Sequence, residues 1–173
     1  MSEAGEAEEG AAPAFDALIG LGSNIGDKAA NIARAIALLT ADGQIRLVRA
    51  SRLYRTAPWG GVDQDWFVNA CIAVATELSP QALLARCLGI EQEMKRVRKE
   101  RWGPRIIDVD LLTYHDVVLD APDLVLPHPR ITERAFVLVP LAEIAPDVSI
   151  SGRPVAAWLT AIDARDVVPL ALE

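Results

Sequence analysis

Hydrophobic and polar residues follow one another along this chain in patterns that predict four main strands and two main helices. Apolar runs over 15–21, 45–54, 66–76 and 106–113 have the length of strands. Apolar residues recur at helical spacing between Asp27, a candidate cap, and Leu39. They do so again over 80–95, where Ser79 suits the cap and Pro80 the first helical position. The predicted order is strand, helix, strand, strand, helix, strand.

That order favours an α+β fold, a ferredoxin-like βαββαβ core with a mainly antiparallel sheet and helices packed on it. The two consecutive strands argue against a doubly wound parallel fold. Short strands are predicted over 117–119 and 124–126, and short helices over 133–139 and 155–162. The glycine-rich stretch 20–26 is predicted to form a turn after the first strand, since it matches neither the dinucleotide fingerprint nor a P-loop.

Composition and charge limit the classes of protein that fit. Residues 1–13 contain four glutamates and no basic residue, which predicts a disordered acidic tail before a single domain over 14–173. Without the tail, 20 acidic residues face 17 basic ones, so general binding to nucleic acid is not expected. No apolar run reaches the roughly 18 residues of a membrane span. The tail lacks signal-peptide features, and Cys71 and Cys87 are predicted to be buried thiols, so a cytoplasmic location is expected.

The stretch from Lys95 to Asp110 carries the strongest chemical signal. Six of the 17 basic residues fall within 95–105, interrupted by a Trp-Gly-Pro loop signal. Arginine-rich loops bind phosphates bidentately. Asp108 and Asp110 then share one face of a strand, about 6 to 7 Å apart at the backbone, and one or two carboxylates plus substrate phosphates are what Mg²⁺ prefers. These features predict a site for a metal-bound polyphosphate. A solvated charged face or an RNA-binding surface are the alternatives.

A second pair of residues is weaker evidence. Phe67 and Asn69 share one face of the third predicted strand, where an aromatic ring and an amide could stack on and hydrogen-bond a flat heterocycle. A core aromatic residue beside a satisfied amide would give the same pattern. His128, between two prolines, is by itself more typical of a structural histidine.

Five motifs stand in order along the chain and together resemble one family. They are Gly22-Ser23-Asn24, Ser51-x-x-Tyr54-x-Thr56-x-Pro58-x-Gly60, Phe67-x-Asn69-Ala70, Arg96-x-Arg98-x-x-Arg101-Trp102-Gly103-Pro104-Arg105-x-x-Asp108-x-Asp110, and Pro127-His128-Pro129-Arg130-x-x-x-Arg134-x-Phe136-Val137-Leu138-x-Pro140-Leu141. The chain resembles the 6-hydroxymethyl-7,8-dihydropterin pyrophosphokinases of folate biosynthesis over roughly 17–147.

The resemblance implies a reaction and a set of site residues. ATP would give its β,γ-diphosphate to the pterin hydroxymethyl group, leaving AMP, with ATP as co-substrate and two Mg²⁺ ions on Asp108 and Asp110. The implied pterin pocket is Thr56, Ala57, Trp59, Phe67, Asn69, Trp102, Asp108 and Phe136. The implied ATP-binding residues are Glu91, Arg96, Arg98, Trp102, Arg105, Leu111, His128 and Arg134. The implied catalytic residues are Arg96, Arg105, Asp108 and Asp110.

We expect a monomer that binds only these small molecules, with no nucleic-acid or membrane partner. Segments 57–64 and 96–102 correspond to mobile lids in the family. Ala57, Trp59 and Lys95 depart from its usual residues, and none of them removes a proposed chemical group. Two other functions remain open from the residues: a different Mg-ATP-dependent transferase, and a non-catalytic RNA-binding module using 96–105.

Overall fold

An antiparallel sheet forms the centre of the protein in the computed structural model, which describes residues 14–57, 65–95 and 106–171. The first part of the chain forms β1 (Ala17–Ser23), α1 (Lys28–Thr40), β2 (Ile45–Ala50), β3 (Tyr54–Thr56), β4 (Phe67–Thr76), α2 (Pro80–Lys95) and β5 (Asp108–Tyr114). The later part forms β6 (Leu119–Asp120), β7 (Val125–Leu126), a 3₁₀ turn (Ile131–Glu133), α3 (Ala135–Ile144), β8 (Ser149–Ile150), β9 (Arg153–Pro154), α4 (Val155–Thr160) and β10 (Val167–Pro169).

The strand order of the main sheet is β10-β3-β4-β1-β5, with β2 also paired to β4. Every pairing in it is antiparallel. The helices cap as the sequence predicts: the Asp27 side chain accepts a hydrogen bond from the Ala30 backbone N–H at 3.1 Å, and the Ser79 hydroxyl accepts one from Ala82 N–H at 3.1 Å. The predicted ferredoxin-like α+β fold is confirmed.

Two apolar clusters lie on opposite faces of the sheet. Ile19, Leu21 and Val109 pack with α1 and α2 on one face. Leu18 and Leu112 pack with α3 and α4 on the other. Both cysteines are buried, one in each cluster, and burial raises the pKa of their thiols, as expected of structural rather than reactive groups. Within the described residues, no helix is long and apolar enough to span a membrane.

Several predicted boundaries were wrong. Gly20, Gly22 and Ser23 are not a turn, because β1 continues through them and pairs with β4 and β5 on its two sides. The predicted strand 45–54 divides into β2 and β3, because the backbone and hydroxyl of Ser51 both bond the backbone of Cys71 between the two pieces. Helix α3 continues through Pro140 to Ile144 rather than stopping at 139. Strand β10 was not predicted. The acidic tail, 1–13, lies outside the described residues.

Candidate active site

One cavity of about 840 Å³ opens on the α3 face of the sheet. Strand ends β3, β4 and β5 supply one side of it, and the segment from His128 into α3 supplies another. The sheet brings these elements together because β1 lies between β4 and β5. Nine of the residues implied by the resemblance line this cavity: Thr56, Ala57, Phe67, Asn69, Asp108, Asp110, His128, Arg134 and Phe136.

The two aspartates of β5 face the cavity together. Asp108 and Asp110 are half-buried, while Ile107, Val109 and Leu111 between and beside them are buried in the opposite cluster. The alternation predicted for this strand is thus observed. Leu111 accordingly has its side chain in the core and not at the cavity, so a side-chain contact with ATP is not supported there. Its backbone remains the part of Leu111 that a nucleotide could meet.

Glu91 does not line the cavity but lies just behind the aspartate pair. From α2 its carboxylate accepts a hydrogen bond from the backbone N–H of Val109 at 2.8 Å. Burial raises the pKa of Glu91, the Val109 bond opposes that shift, and the negative charges of Asp108 and Asp110 add to it. The carboxyl of Glu91 therefore lies within the electrostatic reach of the aspartate pair, from behind the cavity wall.

His128 presents its imidazole ring to the cavity. Its backbone N–H donates to the carbonyl of Leu112 at 2.8 Å, and its Nδ1 accepts from the backbone N–H of Arg130 at 3.2 Å. Burial lowers the pKa of His128; the negative charge of Asp110 opposes this, and Arg134 and Arg130 add to it. With Nδ1 used as an acceptor, the ring proton lies on Nε2, which leaves one N–H donor for a ligand.

Asn69 and Thr56 form a polar pair deep in the cavity wall. The Asn69 side-chain Nδ2 donates to the Thr56 hydroxyl at 2.7 Å, and each residue is 8% exposed. Phe67 lies opposite Thr56 on the neighbouring strand. Phe136, in the first turn of α3, also lines the cavity, with the Arg134 guanidinium 5.6 Å from its ring centre. Two partly exposed aromatic rings and an oriented amide suit a flat, polar heterocycle.

Comparisons with known proteins decide the family. Residues 18–146 match the model of the 7,8-dihydro-6-hydroxymethylpterin-pyrophosphokinase family. The chain belongs to this family. It is 56% identical over 147 residues to the 2-amino-4-hydroxy-6-hydroxymethyldihydropteridine pyrophosphokinase of Methylorubrum extorquens, covering 85% of this chain and 93% of that one. It is 42% identical over 157 residues to the protein of the same name from Synechocystis, covering 90% and 80%.

A solved structure agrees on the fold. A chain described as HPPK-DHPS in complex with substrates superposes with a TM-score of 0.69 at 14% identity, covering 92% of this chain and 47% of that one. This chain thus spans about half the length of that protein. At such low identity the likeness establishes the pyrophosphokinase fold alone.

The C-terminal segment contributes cavity residues that the sequence did not predict. Asp163, Asp166 and Val167 line the cavity, and Val167 pairs with Thr56 across β10 and β3. This segment follows the part that matches the pyrophosphokinase family model. Val167 and Val168 are adjacent β-branched residues, which are common in strands, so they could have indicated a short strand here.

Five implied site residues lie outside the described residues, so their predicted roles stay predictions. They are Trp59, Arg96, Arg98, Trp102 and Arg105. The same holds for most of the two segments, 57–64 and 96–102, that the family resemblance identifies as lids.

Proposed function

We propose that this chain transfers diphosphate from ATP to 6-hydroxymethyl-7,8-dihydropterin, giving AMP and the pterin diphosphate, as an ATP-dependent pyrophosphokinase of folate biosynthesis. The observation that carries the proposal is one cavity with a heterocycle-binding wall, Phe67, Asn69 and Phe136, beside the carboxylate pair Asp108 and Asp110. Membership of the pyrophosphokinase family supports the same reaction.

The pterin is assigned to the wall formed by β3, β4 and the start of α3. Phe67 and Phe136 offer aromatic surface to a flat ring, and Asn69 offers amide groups to its polar edge. Thr56 fixes the Asn69 amide by accepting from its Nδ2. A ring bound here would have its hydroxymethyl group within the same cavity as Asp108, so acceptor and phosphates would meet at the aspartates.

The aspartate pair suits Mg²⁺. Asp108 and Asp110 are both half-buried, and their carboxylates place hard oxygen ligands on one face of β5. Among residues 14–57, 65–95 and 106–171, no three His, Cys, Asp or Glu side chains form a cluster that could hold a metal ion. Two carboxylates completed by substrate phosphates are the arrangement that Mg²⁺ prefers over an all-protein cage. We assign two Mg²⁺ ions to this pair; bound there, they would neutralise phosphate charge and acidify the attacking hydroxyl.

Phosphoryl-type transfer depends mainly on positioning and charge neutralisation, and the chain's own groups provide both. His128 Nε2–H and the Arg134 guanidinium are assigned to phosphate oxygens of ATP, since both line the cavity beside Asp110. Arg96 and Arg105 are assigned to the charge that develops during transfer, and Arg98 and Trp102 to binding ATP. Glu91 fixes the strand that carries the aspartates.

The cellular setting and assembly are further parts of the proposal. We assign the chain to the cytoplasm as a monomer, with ATP and the pterin as its only substrates. An RNA-binding role for 96–105 finds no support in a family whose members are named as pyrophosphokinases.

A substrate panel tests the acceptor. Purified protein with ATP and Mg²⁺ is offered the reduced hydroxymethyl pterin, its fully oxidised form and an unrelated heterocyclic alcohol, and ATP consumption is followed. Consumption that depends on the pterins alone is expected. Equal consumption with the unrelated alcohol would point instead to a different Mg-ATP-dependent transferase on the same scaffold.

A further inference from the structure

Gly22 lies beside the amide of Asn69. The two residues are paired across β1 and β4. A Cβ at Gly22 would lie 2.8 Å from Asn69 Oδ1, while the next nearest atoms, Asn69 Cγ and the Val68 carbonyl oxygen, are both 3.9 Å away. A side chain here would therefore collide with one atom, the amide oxygen of Asn69.

Backbone conformation does not require glycine at this position. The glycines of the described residues with positive φ are Gly26, Gly43 and Gly152, and Gly22 is not among them. Any residue could adopt the extended backbone of β1 here. What an added side chain at Gly22 would disturb is the space above it, and that space holds the Asn69 amide.

The other end of the same amide is fixed by Thr56. Nδ2 of Asn69 donates to the Thr56 hydroxyl at 2.7 Å, which places Oδ1 over Gly22. The amide group of Asn69 therefore has a defined orientation. Its Nδ2 donates to the Thr56 hydroxyl on β3, and its Oδ1 lies over the Cα of Gly22 on β1. An amide with a defined orientation can distinguish the donors from the acceptors of a heterocycle edge.

We propose that Gly22 is a positioning residue for pterin recognition, whose missing side chain leaves the space that Asn69 Oδ1 occupies and so fixes the orientation of this amide in the cavity wall. The inference rests on the proposed function, because it takes Asn69 as the residue that binds the pterin edge. A methyl group at Gly22 would press on Asn69 Oδ1, at the far end of that side chain, and rotating the amide away would separate Nδ2 from Thr56. The backbone need not move, so recognition is affected and folding is not.

The variant Gly22→Ala tests this inference, with Gly89→Ala as the control. Gly89 lies on α2 and does not line the cavity, and an added Cβ there would meet no atom within 4 Å. For Gly22→Ala, the KM for the pterin should rise at least about tenfold, as loss of a hydrogen bond or two to the ring implies. Its KM for ATP should stay close to that of the unmodified chain, and its melting temperature should fall by no more than the loss of one buried hydrogen bond implies. Gly89→Ala should leave both KM values unchanged.

A double-mutant cycle shows whether the effect passes through Asn69. In the Asn69→Ala background no Oδ1 is present, so adding Gly22→Ala should leave the calorimetric Kd for the pterin, measured with a non-hydrolysable ATP analogue, unchanged within about twofold. Thr56→Val, which keeps the side-chain shape but removes the hydroxyl, should raise that Kd in the Asn69 background.

Three results would overturn the inference. They are an unchanged pterin KM in Gly22→Ala, the same fold-change with and without Asn69, and a Gly22→Ala chain that fails to fold. The last would mean that the methyl group displaces backbone rather than one amide. Failure of the proposed function is distinguishable, because then the unmodified chain itself would neither bind the pterin nor release AMP.

Discussion

The carboxylate of Glu91 accepts a hydrogen bond at 2.8 Å from the backbone N–H of Val109, the residue between Asp108 and Asp110. Helix α2 is thereby joined to β5 at the point where the strand presents both aspartates to the cavity. This hydrogen bond satisfies the backbone N–H of Val109 and favours the ionised form of Glu91. Burial of Glu91 has the opposite effect: it disfavours the ionised carboxylate and so raises the pKa.

Substitution of Glu91 should separate these two effects. Because its pKa is raised above the ordinary 4.5, the folded chain holds this proton more tightly than the unfolded chain, so its contribution to stability falls as pH rises from about 4.5 through the folded-state pKa. Glu91→Gln keeps an acceptor for Val109 and should flatten this fall. Glu91→Ala should cost about 1 kcal/mol near pH 4 by leaving the N–H without its acceptor. That cost should shrink as pH rises, because the variant also loses the carboxyl whose contribution falls.

Urea unfolding between pH 4 and pH 8 measures both variants. The interpretation of Glu91 fails if Gln is as destabilising as Ala throughout that range, because only Gln retains an acceptor for the Val109 N–H.

Asp110→Asn should almost abolish turnover. The amide keeps the size of the side chain but removes the charge that a metal ion needs, so the rate should fall by at least about a hundredfold. Thermal unfolding should be unchanged or slightly higher, since repulsion from Asp108 is relieved. Asp120→Asn, at an exposed position of β6, is the control and should leave activity intact. Full activity in Asp110→Asn would exclude a metal role for this residue.

His128 should titrate below the ordinary value of 6.5. Burial lowers its pKa, so the folded chain releases this proton more readily than the unfolded chain, and stability is lost as pH falls below about 6.5 toward the folded-state pKa. Ring signals in an NMR titration report the midpoint directly. The chain has two histidines, so His115→Gln leaves a single set of signals to assign. A midpoint above 6.5 would contradict the neutral donor assigned to His128.

Phe136→Leu should weaken pterin binding more than ATP binding. Leucine keeps an apolar contact but loses the flat aromatic face, which is worth about 0.5–1.5 kcal/mol in stacking and corresponds to a several-fold rise in the pterin KM. Phe15→Leu, which removes an aromatic ring from the second apolar cluster away from the cavity, is the matched control. Equal changes in the KM for ATP and for pterin would argue against a stacking role.

Local periodicity predicted the parts of the site that depend on one strand. Asp108 and Asp110 share a face because side chains alternate in any strand, whatever its neighbours. The same rule paired Phe67 with Asn69, and both line the cavity. Those relationships could be predicted because they need no knowledge of tertiary pairing.

Features that depend on other strands could not be predicted in this way. Gly22 was assigned to a turn because glycine is common there, but two neighbouring strands hold it extended. Strand β10 has three residues and is held by pairing with β3, so its own pattern is a weak signal. The contact between Gly22 and Asn69 joins residues 47 positions apart and becomes visible only when β1 and β4 are aligned.

The products of the reaction test the central claim most directly. The purified chain is incubated with ATP, Mg²⁺ and 6-hydroxymethyl-7,8-dihydropterin, and ³¹P NMR follows the phosphorus signals. The account predicts AMP and a pterin diphosphate in equal amounts, both absent when the pterin is omitted. Stoichiometric ADP with a pterin monophosphate would contradict it, because the cavity would then direct transfer of one phosphoryl group rather than two.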